Sequence, residues 1–294
     1  TFAAAGNAMA STALLTAASV RGTQLLLALT VPNCTVASVS SSNALDSARA
    51  KVGDTVTIAV QCDENITAGS ATLGAHTVSM GSAQWVAPSH ASAISVTATI
   101  NTSDSASALN VTVSGCIDLA GNVQGVPHVL SSAVGRVDVD LTPPSLVTVS
   151  VASSNADPAL AGIGDVITVV VVGSEALEAS LLAVSVAGQS AVVTQLNATT
   201  FKADYTMTGS EGAGPVPFTV AFADLTGNTG PTATSTTDAS SVVFDDALPV
   251  VTELSVNSSN VLSSSVARTG DVLKAVARFN EALTSADETI GSVP

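Results

Sequence analysis

The sequence predicts an all-β protein built as Greek-key β-sandwiches repeated in series, and three observations carry that prediction. The first is a repeated phrase: "GDTVTIAVQCDENI" beginning at Gly53 returns as "GDVITVVVVGSEAL" at Gly164 and as "GDVLKAVARFNEAL" at Gly270. The second is composition. Hydrophobic residues make up 46% of the 294 residues but aromatics only 3%, so a core must be built from Val, Ile, Leu and Ala. Ser and Thr form about a quarter of the chain, and with abundant Val they favour strands and turns over helices. The third is alternation. Val56, Ile58, Val60 and Cys62 share one face of a strand, with Thr55, Thr57, Ala59 and Gln61 on the other; Ile167, Val169, Val171 and Gly173 form the matching face in the second copy.

Each copy shows its landmarks in the same order. A proline comes first, at Pro32, Pro144 and Pro249, followed by a strand ending in Ser-Ser-Asn at Asn43, Asn155 and Asn260. The Gly-Asp strand is next, its aspartates Asp54, Asp165 and Asp271 separated by 111 and 106 residues. A late phrase, "CIDLAGN" at Cys116 to Asn122, answers "FADLTGN" at Phe222 to Asn228, and its Gly-Asn reads as a tight turn between two late strands. Short strands broken by turn residues in a unit of this length fit a Greek-key sandwich. The landmarks divide the chain into the end of a preceding unit or a donor segment (1–28), a first repeat (29–140), a second (141–247) and the opening strands of a third (248–294). Such a division is expected of a window on a longer array. An alternative is that residues 1–28 complete the last unit of a neighbouring molecule, which would build a filament.

The stretch "FKADYTMTGSEGAGPVPFTVAFADLTGNTG", with the "GDVITV" strand before it and "VVFDDALPVVTELSVNSSN" after it, resembles the tandem immunoglobulin-like repeats of large bacterial and algal extracellular surface proteins, mastigoneme-like and adhesin-like among them. The resemblance covers the second repeat fully, the first with an insertion around Trp85 to Ala91, and only the first strands of the third. It implies a linear array of immunoglobulin-like sandwiches, extracellular or cell-surface display, and a structural or adhesive role.

Composition also sets exclusions. Eight basic against 23 acidic residues give a formal net charge of −15, which repels phosphate backbones, so nucleic acid is not an expected partner. The apolar stretches "ALLTAASV" and "QLLLALTV" are split by Arg21 and are too short to span a bilayer, so no membrane insertion is expected. The chain opens without an initiator Met or a basic n-region, which fits a processed chain or a fragment. No enzyme is expected. His76, His90 and His128 lack metal-ligand spacing, and no nucleophile elbow, C-x-x-C pair or phosphate-binding loop occurs.

The remaining candidate sites are structural. Cys62 aligns with Gly173 and Cys116 with Phe222, a small residue paired with a large one, which predicts contact across the sandwich and a Cys62–Cys116 disulfide made in an oxidising compartment. Two buried thiols are the alternative. Cys34 aligns with Leu146 and Val251 and reads as a packed thiol. Thr112 and Ser114 share the parity of Cys116, and a bulge at Gly115 would reset the register. Sequons for N-linked glycans occur at Asn33, Asn65, Asn101, Asn110, Asn197 and Asn257; Asn65, Asn101 and Asn197 fall in expected turns, while Asn110 is discounted unless that bulge exists. Unmodified surface asparagines are the plain alternative.

Acidic residues recur at repeat edges, and Asp54, Asp138, Asp140, Glu175 and Asp224 are expected to converge where repeats meet, where their oxygens would suit Ca²⁺; solvated turn caps are the competing reading. Two functions follow. In one, the sandwiches are a structural subunit of an extracellular filament, stalk or appendage whose partners are copies of itself, joined head to tail by strand complementation. In the other the chain is an adhesin whose Trp85 segment binds a glycan or protein while the other repeats act as spacers.

Overall fold

The computed structural model describes residues 13–14, 26–27, 29–80, 93–129 and 135–283. Among them the chain is built from strands, with one 3-10 turn at Ala179–Leu181 and no α-helix. Two short strands, β1 (Ala13–Leu14) and β2 (Leu26–Leu27), pair antiparallel. The first repeat follows with β3 (Cys34–Ser41), β4 (Arg49–Ala50), β5 (Thr55–Cys62), β6 (Ile66–Leu73), β7 (His76–Met80), β8 (Ala93–Thr99), β9 (Val111–Asp118), β10 (His128–Val129) and β11 (Asp138–Val139).

These strands make two sheets, ordered β3-β5-β8 and β10-β9-β6-β7, while β4 and β11 pair in parallel. The chain crosses between sheets three times, from β5 to β6, from β7 to β8 and from β8 to β9, which is the immunoglobulin-like Greek key. Alternation decides which side chains face inward. Val56, Ile58, Val60 and Cys62 of β5 are buried, as their period of two predicts, and they pack with Ile66, Ala71 and Leu73 of β6 and Val111, Val113 and Cys116 of β9 in one aliphatic core.

The second repeat supplies β12 (Leu146–Ser153), β13 (Leu160–Ala161), β14 (Val166–Gly173), β15 (Ala183–Val186), β16 (Gln189–Ser190), β17 (Val192–Gln195), β18 (Thr200–Thr206), β19 (Gly214–Pro215), β20 (Phe218–Ala221) and β21 (Val243–Phe244). Its sheets run β12-β14-β18-β17 and β16-β15-β20, and β13, β21 and β19 make a third small sheet in which β13 and β21 are parallel. Phe201 and Phe218 join Val169, Val171, Val184, Val186 and Val220 inside it. Of the third repeat, β22 (Val251–Ser258) and β23 (Leu273–Phe279) form a hairpin whose Leu254 and Val256 stay exposed. The described residues divide into two compact units, one within Thr1–Val151, Thr168–Tyr205 and Pro217–Ser240, the other within Ala152–Ile167, Thr206–Val216 and Ser241–Pro294.

The cysteines pair differently from the sequence expectation. The disulfide joins Cys34 to Cys62, and Cys116 is a free, buried thiol. Cys34 and Cys62 lie directly opposite each other on neighbouring strands β3 and β5, with Cα atoms 4.1 Å apart, whereas Cys116 sits on β9 in the other sheet. The expected contact between Cys62 and Cys116 is present, the sulfurs of Cys34, Cys62 and Cys116 lying within 4.8 Å of one another, but the size argument behind it does not hold in the second repeat. Gly173 is small because a Cβ there would meet the Glu175 carbonyl and Leu177, not Phe222. The Phe222 ring instead fills the space left by Gly230, whose first-repeat counterpart Gln124 has a side chain that donates from Nε2 to the Cys34 carbonyl at 3.1 Å. The complementary pairs are therefore Phe222 with Gly230 and Cys116 with Gln124.

The bulge on β9 is present. Gly115 has φ +62°, and the β6–β9 register shifts beside it, so Val111, Val113 and Cys116 are all buried while Asn110 is exposed. One inserted residue thus resolves the parity conflict of Thr112 and Ser114.

Candidate functional site

The repeated Ser-Ser-Asn and Gly-Asp phrases fold together as one hydrogen-bonded clasp. In the first repeat Asn43 Nδ2 donates to Asp54 Oδ2 at 2.8 Å, the Lys51 amide donates to the same oxygen at 2.9 Å, and the Thr55 amide donates to Ser42 Oγ at 2.9 Å. The second repeats this atom for atom: Asn155 Nδ2 to Asp165 Oδ2 at 2.8 Å, Gly162 N to Asp165 Oδ2 at 2.7 Å, Val166 N to Ser154 Oγ at 2.9 Å. So does the third, through Asn260 and Asp271 at 3.1 Å, the Arg268 amide at 2.9 Å, and Val272 N to Ser259 Oγ at 2.9 Å. The leading glycine is needed because Gly53, Gly164 and Gly270 adopt φ of +91°, +91° and +95°, where a Cβ is strained. The Asn155 amide and then the Gly162 amide hold the Asp165 carboxyl below its ordinary value.

The Asp-Leu-x-Gly-Asn phrase folds as a closed turn. Asp118 Oδ1 accepts from the Ala120 and Asn122 amides at 2.8 Å each, its Oδ2 accepts from Asn122 Nδ2 at 2.7 Å, and Asn122 Nδ2 also donates to the Thr30 carbonyl at 3.1 Å. Asp224 takes the same bonds from Thr226, Asn228 and Asn228 Nδ2 at 2.7, 2.9 and 2.8 Å, and Asn228 Nδ2 donates to the Asp140 carbonyl at 3.1 Å. Burial pushes the Asp118 carboxyl up, but its bonds from Asn122, Ala120 and Gly121 outweigh this and leave it below the ordinary value.

Within the first compact unit one clasp seats one turn. Asn43 Nδ2 donates to the Thr226 carbonyl at 2.9 Å as well as to Asp54, and both residues are buried, at 8% and 1% exposure. A Cβ on Gly227 would fall 3.3 Å from Leu45 Cδ1 and 3.4 Å from Lys51 Cε, so the bare glycine fits closely beneath those side chains. The Asp118 turn exposes Ala120 and Gly121, with Leu119 75% exposed, and Asn155 is only half-buried. Sequence reading marked the Ser-Ser-Asn phrase as a repeat landmark but gave Asn43 no role; the constant spacing of ten or eleven residues from Asn to Asp was the available signal.

The structure brings together three of the five acidic residues expected to converge. Asp140, Glu175 and Asp224 each place a carboxylate oxygen within 4.8 Å of the others. Asp54 is instead engaged in the clasp, and Asp138 pairs with Arg136. Burial, then the charges of Asp140 and Asp224, push the Glu175 carboxyl up; Glu64 is raised likewise by burial, Asp118 and Asp63. Oxygen donors at this spacing are the chemistry of a Ca²⁺ ligand set, although Asp224 already accepts three bonds inside its own turn.

Of the sequon asparagines, Asn33, Asn101, Asn110, Asn197 and Asn257 are exposed and Asn65 is half-buried. Trp85 and His90 lie outside the described residues. His76 Nε2 contacts the Asp104 carboxylate at 2.8 Å and His128 Nδ1 accepts from the Val36 amide at 3.2 Å, so both serve local structure. No helix among the described residues is long and apolar enough to cross a membrane.

No family model and no curated protein matches the chain. Solved structures similar to it include fibronectin(III)-like modules of Clostridium thermocellum CbhA (12% identity over 71% of this chain and 93% of that one, TM-score 0.33). Another is a 1.5-MDa bacterial ice-binding adhesin (14% identity, 78% and 69% covered, TM-score 0.40). A three-immunoglobulin-domain segment of titin is a third (10% identity, 89% and 84% covered, TM-score 0.39). All are tandem β-sandwich proteins; the fold assignment itself rests on the strand order above.

Proposed function

We propose that the chain is a non-catalytic segment of an extracellular filament, stalk or cell-surface appendage, in which immunoglobulin-like sandwiches are joined in series by side-chain clasps. One observation carries this reading: Asn43 of the first repeat closes on the Thr226 carbonyl of the second with both groups buried, so sequence invested in every copy serves the join between copies. The acidic charge supports a solvated outer surface, and the exposed sequons support a secreted route with attached glycans.

Immunogold labelling of cells that make the protein tests the reading. Antibody raised against residues 29–247 should decorate fibrils or appendages outside the cell, and label confined to the cell interior would refute it.

A further inference from the structure

We infer that the first repeat holds a three-sulfur exchange site, in which the thiol of Cys116 displaces Cys62 from the Cys34–Cys62 disulfide and moves the cross-link of β3 from β5 to β9. The inference concerns one repeat alone and does not depend on the array reading.

Three sulfurs meet in the core of this repeat. The Sγ atoms of Cys34, Cys62 and Cys116 lie within 4.8 Å of one another, and each residue is at most 2% exposed. Two of them are bonded to each other and the third is a free thiol. Packing alone does not call for such a cluster. The matching positions of the second repeat are Leu146, Gly173 and Phe222, and that sandwich closes without sulfur.

Cys34 is the sulfur that Cys116 is placed to attack. Gln124 straps the two backbones together, its amide donating to the Cys116 carbonyl at 2.8 Å and its Nε2 to the Cys34 carbonyl at 3.1 Å. A second strap lies four residues on, where His128, paired with Val113 of β9, accepts from the Val36 amide of β3 at 3.2 Å. The Cα atoms of β3 and β9 accordingly approach within 8 Å. Cys34 thus has Cys62 across the β3–β5 ladder and Cys116 across these straps.

The exchange needs neither oxidant nor reductant. Cys116 loses its proton and its thiolate forms a bond to Cys34 Sγ; the Cys34–Cys62 bond breaks, and its electron pair leaves on Cys62, which takes up a proton. One disulfide and one thiol stand before and after. Burial pushes the Cys116 thiol up to about 11, so the attacking thiolate is scarce at neutral pH and the resting pairing persists there. The product staples a different length of chain. The resting bond joins residues 28 apart, whereas Cys34 and Cys116 are 82 apart, so exchange encloses β6, β7 and β8 in the cross-linked loop and shortens what the repeat can yield when pulled.

Disulfide mapping tests this on the wild-type chain. Folded samples held at about pH 9 and about pH 5 are quenched in acid, unfolded, alkylated and digested for mass spectrometry, acid quenching being effective because exchange runs through the thiolate. The alkaline sample should yield Cys34–Cys116 peptides together with alkylated Cys62, at about tenfold the level of Cys62–Cys116 peptides, because access selects the sulfur attacked. The acidic sample should yield the Cys34–Cys62 linkage alone. Cys62→Ser leaves only Cys34 and Cys116, and the folded variant should close that bond when oxidised by glutathione disulfide. An alkaline sample that keeps Cys34–Cys62 alone overturns the inference, as does a folded Cys62→Ser chain that stays unlinked. Equal amounts of Cys34–Cys116 and Cys62–Cys116 would also overturn it, since exchange through the unfolded chain has no preferred sulfur.

Discussion

The cysteines show how one side chain can mislead and another correct. Peptide mapping of the non-reduced chain should recover a Cys34–Cys62 linkage, and finding Cys62 linked to Cys116 would reverse the assignment. Removing both partners by Cys34→Ser with Cys62→Ser should cost about 3 kcal/mol, the usual range for a loop of this size, measured by urea denaturation. Cys116 is pushed up to about 11 by burial, so almost no thiolate forms at pH 8. It should react with a thiol reagent at the rate of unfolding and no faster.

The aspartates make a pH prediction with a definite sign. Asp118 and Asp165 sit below the ordinary value of about 4 in the folded chain. The stability they contribute is therefore complete above about pH 4 and is lost as pH falls through their folded values. Asp118→Asn should lower the melting temperature at pH 7 and erase part of its decline between about pH 4 and pH 2, which calorimetry across that window would show or refute.

At the scale of elements, two glycines in one turn sequence have different surroundings. Gly121→Ala meets only the strain of a left-handed φ, roughly 1–2 kcal/mol, because no atom of the described residues lies near its Cβ position. Gly227→Ala meets the same strain and also presses on Leu45 and Lys51, so chemical denaturation should show it to be the costlier of the two. Equal costs would mean that the second turn is not seated as described. The strands themselves were legible in the sequence. A period of two in β5 and β14 named their buried faces, and the repeated phrases fixed the order of elements, because those signals are local. What sequence could not give was neighbourhood. The pairing of β3 with β5 and the space under Phe222 depend on residues far apart in the chain, so neither the Cys34–Cys62 bond nor the fit of Phe222 to Gly230 has a local signal. The Gly115 bulge lay between these cases, since its parity conflict was visible and only its resolution required coordinates.

For the whole molecule, the acidic cluster sets a test of ion dependence. Burial, then repulsion from Asp140 and Asp224, raises Glu175, so the folded chain is penalised at neutral pH and recovers as pH falls through that raised value. Glu175→Gln should raise the melting temperature by roughly 1–3 °C at pH 7 without divalent cations, a gain that vanishes near pH 4. With Ca²⁺ added, the wild type should gain more than the variant if the three oxygens bind the ion, and equal gains would exclude binding there. Asp54 and Asp138, the two expected acids outside the cluster, are held by Asn43 and Lys51 and by Arg136, contacts that charge counting along a chain does not register.

The short parallel strand pairs of the first and second repeats carry a mechanical consequence. β4 and β11 are bonded through the Asp138 and Asp140 amides to the Ala48 and Ala50 carbonyls, and β13 and β21 through the Val243 and Asp245 amides to Ala159 and Ala161. Each pair links an early strand of a repeat to its last one. Tension along the chain pulls these two strands past each other in shear, loading the bonds together instead of peeling them one at a time. Each pair thereby resists extension of the chain between that early strand and the last one.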